Sequence, residues 1–112
     1  MIFMKGNLMK KIKEIIEVLE QVNAQEIKVF DYEDKSPFFQ YVIIATVNNR
    51  QANAAIGHFK KLDLAEMKNV EGTGNTGWVL VDSSDVIVHL FSPEQREFFD
   101  FDQRLLGYKQ IL

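Results

Sequence analysis

The chain has 112 residues, 46% of them apolar and 26% charged, a composition that excludes disorder, collagen and coiled coil and suits a single globular domain over residues 1–112. Sixteen acidic side chains outweigh thirteen basic ones, giving a net charge of −3 and a pI near 5.3, whereas a protein held to nucleic acid mainly through phosphates carries the opposite sign. Cysteine is absent, which removes disulfides, zinc knuckles, iron–sulfur clusters and thiol nucleophiles, and fits a reducing, cytoplasmic setting. The longest apolar runs, Tyr41–Thr46 and Trp78–Val81, are far shorter than a membrane span. Met1–Gly6 lacks the charged start and long apolar core of a secretory signal, so no membrane partner is expected.

In chain order, Asn7 is a plausible N-cap for a helix over about 8–23, because Leu8, Ile12, Ile15, Ile16, Leu19 and Val22 recur at helical spacing. Ile27–Tyr32 reads as a strand and Asp34-Lys35-Ser36-Pro37 as a turn. Phe39–Thr46 is almost continuously apolar, as a central strand covered on both faces must be. Asn48 and Asn49 can cap a second helix ending near Lys61, with Ala52, Ala55, Ile56 and Phe59 on its apolar side. Met67–Val70 suggests a short strand, and Trp78–Asp82 and Val86–Phe91 have the spacing of a hairpin. Ser92, Pro93 and Gln95 then open a third helix as N-cap, first-turn proline and capping-box partner, running through Phe98, Phe99 and Phe101 to about Gly107. The order αββαβββα predicts one mixed sheet with packed helices, an α+β or α/β domain.

The charge is unevenly placed. Residues 1–62 carry a balance of +2 and residues 63–112 a balance of −5, and within 71–102 the acids Glu71, Asp82, Asp85, Glu94, Glu97, Asp100 and Asp102 face Arg96 alone. Such a field steers basic partners and repels phosphate, although a solvated face is the blander account. Gly72-Thr73-Gly74-Asn75-Thr76-Gly77 has the letters of a dinucleotide fingerprint, but a strand follows where the fingerprint needs a helix. His58 and His89, the only histidines, lie on different elements, and His58 is expected to face solvent. Asp100 and Asp102 point apart on a helix, whereas Asp82 and Asp85 flank a turn and make at most a weak two-carboxylate cation site. No serine has a nucleophile-elbow context, so no catalytic residue and no cofactor is assigned.

Two residues stand apart. His89 alternates onto one strand face with Ile87 and Phe91, where a histidine is most often half-buried and bonded to a neighbour. Trp78, the only tryptophan, opens the strand that leads into the acidic hairpin and is either core or a partner anchor.

The run Trp78-Val79-Leu80-Val81-Asp82-Ser83-Ser84-Asp85-Val86-Ile87-Val88-His89-Leu90-Phe91, followed by Pro93-Glu94, Arg96-Glu97 and Phe98-Phe99, resembles the ribosomal silencing factor (Iojap-like) family. Its blocks are also resembled by Asp34-Lys35-Ser36, Val42-Ile43-Ile44-Ala45-Thr46, Arg50-Gln51 and Val70-Glu71-Gly72, so that the similarity spans about residues 8–107. The chain departs from the pattern at Gln40, an aspartate there, at Val47 and Ser84, glycines there, and at Leu105-Leu106.

That resemblance implies a nucleotidyltransferase-like fold without catalytic residues. It also implies docking on the large ribosomal subunit through ribosomal protein L-fourteen, steric obstruction of subunit joining, repression of translation when nutrients are short, and a homodimer. The residues expected to meet the partner are Trp78, Leu80, Asp82, Asp85, His89 and Glu71, an aromatic anchor beside carboxylates suited to a basic ribosomal protein better than to nucleic acid. The alternatives are an enzyme holding magnesium at Asp82 and Asp85, and a factor that acts in large-subunit assembly.

Overall fold

The computed structural model describes residues 2–62, 69–71 and 76–112. Helix α1 spans Ile2–Gln21 and buries Ile12, Ile15, Val18 and Leu19 along one stripe. It starts earlier than the cap at Asn7 predicts. The residues before Asn7 are helix-compatible, and a single Gly6 costs only about 1 kcal/mol, too little to stop a helix anchored by packing. Asn23, at φ 61, turns the chain out of the helix, and the Ala24 N–H closes back on the Leu19 carbonyl at 2.9 Å.

Strand β1 (Gln25–Asp31) opens on an irregularity, with a register shift between Gln25 and Lys28 and Glu26 at φ 51. Strand β2 (Tyr41–Thr46) is buried over nearly its whole length, as its unbroken apolar run requires. The Asn48 side chain and Gln51 form the reciprocal capping box that starts α2 (Asn49–Lys61), whose Ala52, Ala55 and Phe59 are buried. His58 is half-buried rather than solvent-facing. Strand β3 (Asn69–Glu71) lies within one residue of the predicted strand end, while residues 67–68 and 72–75 of the expected strand and glycine loop lie outside the described residues.

Strands β4 (Trp78–Ser83) and β5 (Val86–Phe91) form the predicted hairpin around Ser84 and Asp85. Ser84 sits at φ 62, a conformation glycine enters freely, which explains why the pattern it departs from has glycine there. Helix α3 (Pro93–Phe99) is capped by the Ser92 hydroxyl, which accepts from the Gln95 N–H at 3.2 Å. The predicted third helix is broken. Asp100 turns left-handed at φ 48, a short helix α4 (Phe101–Arg104) follows, and a strand the sequence did not reveal, β6 (Lys109–Gln110), pairs with β1.

The six strands form one mixed sheet in the order β3-β4-β5-β2-β1-β6, parallel only between β2 and β5. The α+β class read from the sequence is therefore correct. Helices α1 and α2 cover one face, closing a core that includes Leu19, Ile43, Phe59, Val81 and Leu90. On the other face Phe30, Val42, Ile44 and Leu105 make a smaller cluster, with Tyr32, Phe39, Phe101 and Tyr108 against it. Among the described residues no helix is long and apolar enough to cross a membrane.

Candidate functional site

Alternation along β4 buries Val79, Val81 and Ser83 toward the helices and leaves Trp78, Leu80 and Asp82 half-buried on the opposite face. Ile87 lies across from Asp82, and His89 across from Leu80, on the adjoining strand. Helices α3 and α4 cover the phenylalanine end of this face, so Leu80, Asp82 and Ile87 form a strip that keeps partial contact with solvent. The strip is on the face of the sheet rather than its edge, because β3 pairs along the outer side of β4.

Trp78 is tied into the molecule on several sides. Its indole Nε1–H donates to His89 Nδ1 at 3.1 Å, a diagonal cross-strand pair. Its ring lies 5.3 Å from Phe91 and 4.8 Å from Phe99, centroid to centroid. His89 is 7% exposed and lies parallel to Phe91 within 7°, with Phe101 at 4.5 Å. Burial disfavours the imidazolium and lowers the His89 pKa to about 4. The ring is therefore neutral at neutral pH, and since Nδ1 accepts from Trp78 its proton sits on Nε2. The expectation of a histidine bonded to a neighbour is met, and the bond runs to the proposed anchor itself.

The acidic turn is also organised. Asp82 Oδ1 accepts from the Ser84 N–H at 3.1 Å and so shapes the two-residue turn. Asp85 projects into solvent while its carbonyl accepts from the Gln40 and Tyr41 N–H groups at 2.8 and 3.0 Å, fastening the turn to the start of β2. Glu71 pairs through its backbone with Leu80. Among the described residues no group of three or more His, Cys, Asp or Glu side chains could hold a metal ion. A cavity of about 440 Å3 lies where α2 and α3 begin, lined by Asn48, Asn49, Arg50, Ser92, Pro93 and Glu94. The Asn48 and Ser92 side chains are already spent on their own helices there, and the Glu94 carboxylate opposes an anionic guest.

Three features escaped the sequence. Phe98 is 78% exposed on α3, edge-on to the Phe99 ring that packs on Trp78, so it extends the apolar surface beside the anchor. Phe38, in the loop before β2, is 83% exposed. Arg96 is 5% exposed, and its guanidinium binds both carboxylate oxygens of Asp102 at 3.1 and 3.2 Å. Its Nη1 also donates to the Glu26 carbonyl at 2.7 Å and to Thr46 Oγ1 at 2.9 Å. A solitary arginine among seven acids was the available signal for this staple.

Together these features define a small α+β domain that presents an aromatic and acidic surface on the sheet face that its helices cover only in part. The chain belongs to the ribosomal silencing factor family: the model of the ribosomal silencing factor during starvation matches residues 6–105. It is similar to the ribosomal silencing factor of Chromobacterium violaceum, at 31% identity over 98 residues, covering 84% of this chain and 80% of the relative. The chloroplastic Iojap protein of Arabidopsis thaliana is 36% identical over 94 residues, 80% of this chain but 39% of that longer protein. A crystal structure of a Chromobacterium violaceum protein superposes with a TM-score of 0.72 at 32% identity, covering 81% of this chain and 79% of that one. A Bacillus halodurans structure, at a TM-score of 0.77 and 20% identity over 93% of this chain and 98% of that one, shares the fold. Membership places the chain among proteins named as ribosomal silencing factors, a regulatory class.

Proposed function

We propose that this protein docks on the large ribosomal subunit through ribosomal protein L-fourteen, in the cytoplasm, and sterically blocks joining of the small subunit, so repressing translation under nutrient limitation. The observation that carries the reading is the half-buried strip of Leu80, Asp82 and Ile87, with half-buried Trp78 at its end and the solvent-facing Asp85 beside it, in a chain of the silencing-factor family. Its chemistry matches a basic ribosomal protein. The apolar residues supply area to bury, and the carboxylates steer a cationic partner and pair with its Lys or Arg side chains at the rim. The net charge of −3 also favours a protein partner over bare phosphates.

Gradient sedimentation of ribosomal subunits with and without the protein tests this directly. The protein should travel with large subunits and reduce the joined-ribosome peak, and free sedimentation at the top of the gradient would refute the reading. Losing a central aromatic anchor costs about 2–4 kcal/mol, roughly thirty- to a thousandfold in affinity. Because Trp78 also packs internally, Trp78→Phe is the variant that keeps the aromatic layer, and a Trp78→Phe protein that melts cooperatively should bind more weakly than the parent, by less than the full cost of truncation. Asp82→Lys or Asp85→Lys should weaken binding most at low salt. The reading includes no catalysis, so calorimetry with magnesium and a nucleotide should give no saturable heat. Saturable binding abolished by Asp82→Asn would instead favour an enzyme.

Self-association as a homodimer belongs to the same proposal. It is supported by nine phenylalanines in a short chain, two of which, Phe38 and Phe98, are largely exposed. Light scattering at high micromolar concentration tests it, and a monomer there would refute it.

A further inference from the structure

We propose that His89 is a positioning residue for docking: its Nδ1 fixes the Trp78 indole in one orientation on the Phe91 ring, so that the half-exposed anchor meets its partner already ordered. This rests on the docking reading above. The geometry supports it from both sides of the bond. The 3.1 Å donor–acceptor distance is that of a real hydrogen bond, and the acceptor ring is itself immobilised by its parallel contact with Phe91 and by Phe101 at 4.5 Å. Burial keeps that ring neutral, so Nδ1 retains the lone pair it needs to accept.

A tryptophan seated on neighbouring rings alone can slide or flip, and ordering it on association costs rotamer entropy. A fixed acceptor at the end of the indole removes that freedom in advance, which is why the partner would find the anchor pre-organised. The indole N–H has an internal partner, so the partner protein meets the ring's apolar body. His89 itself, 7% exposed, offers too little surface to be an anchor of its own. It acts through Trp78.

The test is a double-mutant cycle on the full chain, read by co-sedimentation with large ribosomal subunits and by the Trp78 indole N–H resonance. His89→Phe keeps a stacked ring and removes the acceptor, whereas His89→Asn places a carbonyl oxygen near the position of Nδ1. We expect His89→Phe to move the indole resonance to that of an unbonded N–H and to weaken binding about five- to tenfold, and His89→Asn to restore both. In a Trp78→Phe background, which has no N–H to hold, His89→Phe should cost nothing further.

An unchanged indole resonance in His89→Phe overturns the proposal, as does equal loss of binding in the presence and absence of the Trp78 indole. If Trp78→Phe binds weakly and His89→Phe binds like the parent, the positioning role alone falls. If Trp78→Phe binds like the parent, the docking reading falls and the positioning role with it. Should His89→Phe fail to fold, the nitrogen resonances of His89 in the parent protein decide the matter. A neutral ring protonated on Nε2 supports the bond, and one protonated on Nδ1 overturns it.

Discussion

The two faces of this sheet are built from the same strands by opposite rules. The face under α1 and α2 is closed by Leu19, Ile43, Ala55, Phe59, Val81 and Leu90, aliphatic side chains and one ring interdigitated out of contact with water. The other face is ringed rather than filled. Aromatic side chains lean on one another around Phe91, a charged staple is buried at Arg96, and Leu80, Asp82 and Ile87 stay partly wet. The first face carries stability, and on the docking proposal the second trades some of it for a surface able to meet another molecule.

Substitutions can break that contrast. The largest loss is expected for Phe59→Ala on the closed face, about 4 kcal/mol in urea unfolding, because the cavity has no water to fill it. A loss below about 1 kcal/mol would show that this face is not the stabilising one. Arg96→Ala should cost about 3 kcal/mol by the same measurement, since Asp102, Thr46 and the Glu26 carbonyl would lose a shared donor. Arg96→Met, which keeps the buried volume without a donor, sharpens the contrast: if it loses as much as Arg96→Ala the effect is one of charge and hydrogen bonding, and if it recovers the loss the effect is packing.

The next effect depends on pH. His89 titrates near 4 when folded and near 6.5 when unfolded, so below the latter value the unfolded chain binds the extra proton. Its contribution is therefore fully present above about pH 6.5 and is lost as pH falls toward 4, amounting to about 2 kcal/mol between about pH 7 and about pH 5. The difference in stability between the parent and His89→Phe, followed across that range, should shrink by this amount on acidification. A constant difference would mean that His89 is not buried as neutral imidazole. The smallest effect on stability is expected for Leu80→Ser, under about 1 kcal/mol at a half-exposed position, while its binding to large subunits falls about tenfold. A Leu80→Ser protein that unfolds early yet binds normally would reverse the roles assigned to the two faces.

How far the sequence could be read follows from what makes a periodic signal. The central strand, the second helix with its Asn48 cap and the hairpin faces were legible because each is dictated by near neighbours in the chain. The alternation that set Trp78, Leu80 and Asp82 apart from Val79 and Val81 survived into the structure for that reason. The last helix was not legible in the same way. An unbroken helix groups Phe98 with Phe101, but the left-handed Asp100 resets the phase, turning Phe99 and Phe101 toward the sheet and leaving Phe98 outside. Strand β6 holds two paired residues, too few for any alternation, and is stabilised by backbone bonds such as Ile111 N–H to the Val29 carbonyl at 2.9 Å. The bond from Trp78 to His89 was likewise invisible, because it depends on the diagonal register of two strands and not on spacing along one.

Arg96 reaches back 70 positions to the Glu26 carbonyl and 50 to Thr46, so it joins the earliest strands to a helix made near the end of synthesis. The central pairing of β2 with β5 is parallel and also spans a long stretch of chain. Closures of that length are entropically slow, and they set the pace of folding for a chain that emerges from its N-terminus. Until Arg96 arrives, the bulged start of β1 has no guanidinium to hold it, and Phe91 has neither Phe99 nor Phe101 across from it. The aromatic face is therefore finished last. A nascent chain halted before residue 96 would carry Trp78, Leu80 and Asp82 on a sheet face that still lacks the Arg96 staple and the Phe99 and Phe101 rings.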